Sequence, residues 1–563
     1  MFSDPVVGDN FFGRQEVIDL LIKRANGLKS GYRQNVAIIG HQQLGKSSVL
    51  RHFMHVFRDE EILPIYVEIK FQALDYFVDQ FIRSLLYQYL TQRGEADPAD
   101  TLISLAEKAS AFIPKTVSRI GEIAVLLKQR HAEEAYVKLF ELTHVLKQET
   151  GKNTIVILDE FHRLGEFGIK NAFSDFGKRI MVQKDTLYIL SSSSFSQSRK
   201  ILAEKLTLLF GHFERVYLEA FDFETAFQFI TQKMAPVEVP MTLQKFFVSL
   251  TDGHPFLLEN TVSRLRELAL SKNETQVSQQ SVCETLLKLF YESQGVLNQY
   301  FSKLISPWTQ AVSRGSHVLI LTQIANGKNR IKDIASSINR NQRETSVQLQ
   351  ELIEHELIVK NGVFYRFHNK TFRFWLKEVY QKKELSLLGT TAKSEGFLRR
   401  MTEVLEEEEA SSGVDVSRRI LALFSEFQND IVELGEKKRK LPHFSEFLRP
   451  AAGPQTNSNS RDIVAKGNGR CWVCKIVEDK ATEREVLELV QGFSDKKSSH
   501  TKVLLALNGM EDNAKLLAKE KRILTLGLSR INLLMDLYGK SPIIQTAKPI
   551  RLGVPAAVQA ASA

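Results

Sequence analysis

The stretch Ile38–Leu50, "IIGHQQLGKSSVL", decides the fold. It holds Gly40, four further residues, then Gly45, Lys46 and Ser47. Phosphate oxygens need many donors in a small volume. Consecutive backbone N–H groups in a tight loop supply them, and glycines let that backbone come close. The preceding "NVAIIG" is a short apolar run rich in β-branched residues, the pattern of a buried strand. The following "KSSVLRHFMHVF" has apolar residues at helical spacing, and a helix N-terminus favours anions. Gly40, His41, Gln42, Gln43, Leu44, Gly45, Lys46, Ser47 and Ser48 are therefore expected to wrap the phosphates of a nucleotide.

Chemistry on a phosphate chain also needs a divalent cation and oriented water. "TIVILDEFHRL" supplies both requirements, because an apolar strand over 154–158 ends in Asp159 and Glu160. Carboxylates at a strand end hold hydrated magnesium and polarise an attacking water. The expected roles follow. Lys46 reaches the β- and γ-phosphates, Ser47 and Asp159 hold Mg2+, and Glu160 is the base or water-positioner. The expected cofactors are ATP and Mg2+, and the expected activity is ATP hydrolysis.

Composition bounds the rest. A chain of 563 residues holds more than one domain. At 43% hydrophobic and 25% charged it is of ordinary globular composition. No apolar run approaches the ~18 residues of a membrane helix. "MFSDPVVGDN" lacks the features of a secretory signal, and three cysteines exclude a disulfide scaffold. The expectation is a cytoplasmic protein with no membrane partner.

Apolar strands "NVAIIG", "LPIYVEIK", "TIVILDE", "TLYILSS" and "RVYLEAF" alternate with helical segments, which implies a parallel α/β sheet. The expected domains are an ATPase core over 1–220, a helical lid over 221–300 and a small helical domain with a hairpin over 301–385. A helical connector over 386–445, an α/β domain over 446–545 and a tail over 546–563 complete the chain. "EEEE" at 406–409 reads as a solvated helix face.

These motifs carry a family resemblance. "NFFGRQEVIDLL" at 10–21 resembles the box that precedes the phosphate loop in archaeal-type ATPases, STAND-group relatives of the AAA+ replication initiators. The resemblance implies that Gly13 and Arg14 lie against adenine and ribose. "LYILSSSSFS" is similar to the family's sensor strand, which makes Ser193 a catalytic candidate, although the turn lacks the family's glycine. "TDGHPFLLE" resembles the lid box, with Gly253 and Pro255, and adds Pro255 to the nucleotide contacts. About 110 residues separate Lys46 from Asp159, more than in many such ATPases. The helical extra length over 95–150 reads as an insertion offering a protein-partner surface, or simply as longer helices. The family's arginine finger falls where His212 stands, and the nearby Arg215 reads as a helix-end cation or surface charge, so homo-oligomer assembly stays open.

Residues 301–383 hold 14 Lys or Arg against 6 Asp or Glu, in a chain of net charge +9. Three helical segments, the last over 342–356, precede "LIVKNGVFYRFHN", a strand, Asn-Gly turn and strand. This resembles the winged-helix domain of the same ATPases. The third helix of such a module enters the major groove from its N-terminal end. Arg340, Asn341, Arg343, Thr345 and Gln348 are expected there, with Lys360 and Asn361 near phosphates on the wing, so the expected partner is double-stranded DNA. Glu351, Glu354 and Glu356 suit the competing reading, a protein-binding winged helix.

"RDIVAKGNGRCWVCKIVEDKATEREVLELVQGF" at 461–493 reads as strand, strand and helix, and with "TKVLLALNG" after it resembles the restriction-endonuclease-like fold, whose nucleases use Asp, then Glu-x-Lys, on neighbouring strands. Asp462 and Lys475 stand at matching places, but Val473 replaces the acid, and Glu478 substitutes only if the strand has already ended. A degenerate, non-cleaving nuclease site is expected. Cys471 and Cys474 read as strand residues facing opposite sides. The fold class is thus an α/β P-loop ATPase with a parallel sheet and helical lid, then a winged helix and a restriction-endonuclease-like domain. The function expected is an ATP-dependent DNA-binding switch. Its rivals are a STAND-type regulator that binds a protein, and an ATP-gated nuclease.

Overall fold

The computed structural model describes residues 4–70, 73–206, 213–309, 315–385, 390–435, 437–448, 462–467, 469–491 and 500–545. His212, the polar loop 453–460 and the tail 546–563 lie outside the described residues. The chain divides into two compact units, Met1–Ala220 with His254–Phe256, and Phe221–Gly253 with Leu257–Ala563.

The first unit is built on five strands, β1 (Asn35–Ile39), β2 (Ile62–Glu68), β3 (Asn153–Asp159), β4 (Thr186–Ser192) and β5 (Phe213–Tyr217). They pair in the order β2-β3-β4-β1-β5, all parallel. Every residue of β1 and of β4 is buried, because helices cover both faces of the sheet. That is why these strands read as unbroken apolar runs instead of alternating ones. Alternation survives in where the side chains go: Val36 and Ile38 enter one core layer, Ala37 and Ile39 the other. Burial of each of Val36, Ile38 and Ile39 contributes about 1.5–3 kcal/mol.

The stretch between β2 and β3 is helical, with helices Leu74–Gln92, Leu102–Ser110, Pro114–Lys128 and Ala132–Thr150. These helices extend the core: Leu105, Ile123, Tyr136 and Phe140 belong to the same apolar layer as Val156 and Leu158 of β3.

In the second unit, helices Phe223–Met234, Met241–Thr251 and Gln279–Leu286 are followed by Val296–Thr309. Helices Gly315–Ala325, Ile331–Ser337 and Gln342–Glu354 then lead into an antiparallel hairpin, β6 (Ile358–Asn361) and β7 (Phe364–Phe367). The stretch expected to be a helical connector is helical over Thr390–Gly413 and Val416–Phe424, but it then forms a second antiparallel hairpin, β8 (Ile431–Leu434) and β9 (Lys437–Lys440). Val432 and Leu434 are buried, and Gly435 is left-handed at the turn.

The C-terminal sheet has the order β10 (Glu446–Leu448), β11 (Ile463–Gly467), β12 (Arg470–Val477), β13 (His500–Ala506), β14 (Leu524–Gly527). Its first two pairings are antiparallel and its last two parallel. Helices Glu483–Gln491, Asp512–Glu520 and Leu528–Leu537 connect and follow the parallel strands. Along β12, Trp472, Cys474 and Ile476 enter one core and Cys471 and Val473 the other. Cys471 and Cys474 thus lie on opposite faces, and burial pushes both thiols up from their ordinary range. Phe364 of β7 belongs to the same core as Trp472. The hairpin β6–β7 is therefore packed into the C-terminal domain instead of standing free. Among the described residues, no helix is long and apolar enough to cross a membrane.

Candidate nucleotide site

The loop after β1 takes its shape from backbone demands. A Cβ on Gly40 would stand 2.5 Å from the carbonyl oxygen of Leu218, so no larger residue fits. Gln43 is left-handed at φ 61°, and Gly45 at φ 90° caps the helix Lys46–Val56 without a side-chain hydrogen bond. The first-turn N–H groups of that helix have no intrahelical acceptor, as at any helix start. Nothing lies within 4 Å of a Cβ built on Gly45, so space remains over the loop.

Lys46 is only 4% exposed, and its Nζ donates to the carbonyl oxygen of His41 at 2.6 Å. Ser47 Oγ donates to Asp159 Oδ2 at 2.7 Å, and Tyr66 OH donates to the same oxygen at 2.9 Å. Asp159 is fully buried. Burial, with Asp159 alongside, pushes the Tyr66 phenol well above its ordinary range. A buried carboxylate with one hydroxyl at each side is a donor set suited to a hard divalent cation.

Glu160 leaves the strand in the left-handed region, at φ 60° and ψ 41°. Its Oε2 accepts from Ser193 N at 2.9 Å and from Ser193 Oγ at 2.8 Å. His162 Nδ1 lies 2.8 Å from Ser192 Oγ and 3.4 Å from Glu160 Oε2. The ends of β3 and β4 are thus tied through side chains. Ser47, Asp159, Glu160 and Ser193 form one continuous chain of contacts that starts beside Lys46. Tyr66, His162 and Ser192 were not singled out from sequence. Their signal is positional: Tyr66 lies in the C-terminal half of β2, His162 just beyond β3 and Ser192 at the end of β4.

The box at 10–21 packs against the nucleotide domain through its backbone and Arg14. Gly13 and Arg14 are both left-handed, at φ 66° and 65°, and start the helix Gln15–Lys29. The Arg14 guanidinium donates to the carbonyl oxygen of Glu219. Phe11 stacks on His52 with ring centres 4.0 Å apart, and His52 Nδ1 accepts from Gly8 N at 3.2 Å. Burial lowers the pKa of His52. Ser48 Oγ accepts from Val6 N at 3.1 Å, so this hydroxyl anchors the N-terminal segment. Pro255 begins the helix Pro255–Ser271. Arg215 is exposed in the middle of the edge strand β5.

In the three-helix and hairpin module, Arg340, Arg343 and Lys360 are exposed. Three other expected DNA contacts are engaged within the module itself. Asn341 caps the helix Gln342–Glu354: its Oδ1 accepts from Glu344 N at 2.8 Å, and its Nδ2 donates to Glu344 Oε1 at 2.7 Å. Gln348 Nε2 donates to Ser316 Oγ at 2.6 Å. Thr345 is buried. The core side of this helix runs Thr345, Leu349, Leu352, and Gln348 lies at its margin. Asn361, expected near phosphates, bonds to the backbone of β8 through Glu433.

In the C-terminal sheet, Asp462 and Lys475 face one another, 3.9 Å apart. Val473 is buried in an apolar layer with Val464, Val486 and Leu504. A carboxylate that sequence reasoning missed comes from the helix Glu483–Gln491: Glu488 Oε2 lies 3.2 Å from Lys475 Nζ, and its Oε1 is 2.8 Å from Arg484 Nε. Glu478 lies just beyond the end of β12. Among the described residues, no group of three His, Cys, Asp or Glu could hold a metal ion.

Residues 10–170 match the family model described as an AAA ATPase domain. A curated relative, the RuvB subunit of the Holliday junction branch migration complex of Mesomycoplasma hyopneumoniae, is 24% identical over 227 residues. That match covers 37% of this chain and 66% of the relative, just under two thirds of its length. Among solved structures, a Walker-type ATPase of Pyrococcus abyssi aligns over 67% of this chain and 99% of its own, at 17% identity and a TM-score of 0.45. The ORC2 protein of Aeropyrum pernix, solved in ADPNP–ADP complexes, aligns over 73% and 98%, at 12% identity and a TM-score of 0.41.

Proposed function

From the AAA ATPase domain carried by residues 10–170, we propose that the protein is an ATP-hydrolysing switch that engages double-stranded DNA. The observation that supports it most is the contact chain from Ser47 through Asp159 to Glu160 and Ser193, next to the buried Lys46. It joins a phosphate-binding loop to a water-orienting carboxylate.

Loop N–H groups between Gly40 and Ser47 bind the β- and γ-phosphates of ATP. Lys46 turns from the His41 carbonyl to the phosphate oxygens. Ser47 Oγ and Asp159 would hold Mg2+, which when bound would neutralise charge on the phosphate oxygens. Tyr66 fixes the carboxylate of Asp159 in one orientation. Glu160 orients the attacking water and takes its proton. Ser193 holds Glu160 at one oxygen, so the position of the β4 end decides where that carboxylate points. His162, against Ser192, steadies the same corner.

The DNA half of the reading draws on the exposed cations Arg340, Arg343 and Lys360 of a three-helix and hairpin module shaped as a winged helix. The names of the similar proteins point the same way: one belongs to a complex that migrates Holliday junctions, and an Aeropyrum pernix ORC1 protein was solved with DNA. The C-terminal sheet is a restriction-endonuclease-like domain that holds nucleic acid without cutting it.

Duplex affinity measured by fluorescence anisotropy in ATP, in ADP and without nucleotide tests this, with Glu160→Gln used to keep ATP intact. Affinities that differ several-fold between nucleotide states are expected. Equal affinity in every state sinks the switch, and absence of duplex binding at low salt leaves a protein-binding regulator.

A further inference from the structure

We propose that the hairpin β8–β9 is a second DNA-binding wing, whose strand Lys437–Lys440 grips the phosphate backbone of a duplex beside the first wing. This rests on the duplex-binding reading above and adds a surface to it.

The sequence of β9 is Lys437, Lys438, Arg439, Lys440, and all four residues are exposed. Successive strand residues point to opposite faces, so Lys437 and Arg439 occupy one face and Lys438 and Lys440 the other. Neither face of this strand is buried. The hairpin is held by its other strand, through Val432 and Leu434. Among the described residues, β9 pairs only with β8. Lys438 lies 3.6 Å from Glu433. Lys437, Arg439 and Lys440 form no ion pair among the described residues. Adjacent cations at a rise of about 3.4 Å per residue, and those on one face about 7 Å apart, lie within one Debye length of about 8–10 Å. They repel one another until a polyanion compensates them.

The hairpin is also fixed in place. The wing turn Asn361-Gly362 docks on β8: Asn361 Nδ2 donates to the Glu433 carbonyl at 2.9 Å, and Glu433 N donates back to Asn361 Oδ1 at 2.9 Å. Val363 N donates to the Ile431 carbonyl at 3.0 Å. A Cβ on Gly362 would stand 1.8 Å from that same oxygen, and Gly362 is left-handed at φ 59°, so the contact requires glycine. Just before β8, Asp430 binds Arg330 at 3.0 Å and Tyr538 OH at 2.7 Å. Two exposed cations extend the basic surface. Lys360 precedes Asn361 in the chain, and Arg530 Nη2 lies 3.2 Å from where a Cβ on Gly435 would stand, at the hairpin turn.

Basic residues on an edge strand also deter strand-to-strand aggregation. One or two suffice for that purpose, and it gives no reason to anchor the hairpin on a wing. Duplex DNA fits better: its charge is regular, it accepts cations from both faces of a ribbon, and its recognition by phosphate contacts needs no pockets.

The test is duplex binding by the full chain across a salt series, for wild type, for Lys437→Ala, Lys438→Ala, Arg439→Ala and Lys440→Ala combined, and for Arg340→Ala with Arg343→Ala. Charge-preserving replacement of the four residues by Arg or Lys controls for folding, as does unchanged ATP turnover. The expected result is a salt slope lowered by about two to four units in the quadruple variant, since each phosphate contact contributes about 0.9, with equal losses on unrelated duplex sequences. An unchanged slope in the quadruple variant, with loss in the Arg340 and Arg343 variant, overturns the second wing and leaves the first reading standing. Loss in the quadruple variant alone keeps the second wing and removes the helix from the DNA surface. Wild-type binding to phosphatidylserine vesicles but not to duplex would overturn both in favour of a membrane surface.

Discussion

Asp159 and Glu160 are chain neighbours that face different partners because the backbone turns left-handed between them. Asp159 ends a fully buried strand and reaches Ser47, while Glu160 swings to Ser193 at the end of β4. A non-glycine residue in that conformation costs of order 1 kcal/mol, and the two Ser193 hydrogen bonds offset it. In the proposed mechanism the pair separates metal holding from water activation, and mutation separates them too. Lys46→Ala removes the only buried cation of the loop, so ATP affinity and turnover are both expected to vanish, as read by nucleotide titration and phosphate release. Retained turnover would show that the loop is not the site. Glu160→Gln keeps size and one acceptor oxygen but loses the base. ATP is expected to bind with near-normal affinity while turnover falls by about 10²-fold or more. A parallel fall in affinity would make Glu160 a structural residue. This site was legible because its determinants are local: two glycines, a lysine and a serine within eight residues, and two acids after an apolar strand. Tyr66 and His162 were not, since one Tyr in an apolar strand and one His after "DEF" look like any core residue until β2, β3 and β4 are brought side by side.

The helix Gln342–Glu354 shows what periodicity leaves undetermined. Its 3.6-residue repeat was readable, but the repeat alone does not say how far the buried stripe extends. The packed side took Thr345 and drew in Gln348, and the cap took Asn341, a common use of Asn at a helix start. Arg340 and Arg343 remain outside. Replacing both with Ala is expected to flatten the salt dependence of duplex binding by about one to two units, at about 0.9 per phosphate contact. Weakening that is similar for all duplex sequences would mark both residues as phosphate contacts. An unaltered slope moves the DNA surface elsewhere. The β8–β9 hairpin escaped the sequence reading for a different reason. A run of four cations has no apolar period, so it resembles a solvated linker, and the stabilising partner is 70 residues earlier in the wing. That dependence is testable at the turn. Gly362→Ala adds a left-handed strain of about 1–2 kcal/mol and a clash with Ile431, and is expected to lower the melting temperature by roughly 2–8 °C. It should also weaken duplex binding without changing ATP turnover. Unchanged melting would show that the hairpin tolerates release from the wing.

At the scale of the whole molecule, the open question is whether 563 residues hold one catalytic centre or two. The parallel strands and the C-terminal strand-and-helix succession were readable from apolar runs, but Glu488 was not, because it stands on a helix, 13 residues beyond Lys475. Its arrival brings the carboxylates around Lys475 to two, Asp462 at 3.9 Å and Glu488 at 3.2 Å. Both oxygens of Glu488 already face cations, with Arg484 on Oε1 and Lys475 on Oε2. Those contacts, Arg484 foremost, hold its carboxyl below the usual range. A magnesium ion would have to displace them, and with Asp462 as its remaining carboxylate it would stay mostly hydrated and loosely placed. Phosphodiester hydrolysis needs metal and nucleophile fixed closely. The expected outcome is that purified protein leaves linear, supercoiled and single-stranded DNA uncut, in magnesium or manganese, with or without ATP. Cleavage that disappears in Asp462→Ala and in Glu488→Gln, while Lys46→Ala still cuts, would instead establish a second centre, with its acid on the helix. Val473→Glu is the less informative variant. Val473 is 1% exposed inside an apolar layer, so a glutamate there carries a desolvation cost of several kcal/mol and must be shown to fold before its activity is read. Arg484→Ala is the sharper one. It frees Oε1 of Glu488 without touching the core, and metal-dependent cutting gained by that change alone would show that the ion pair is what keeps the domain silent.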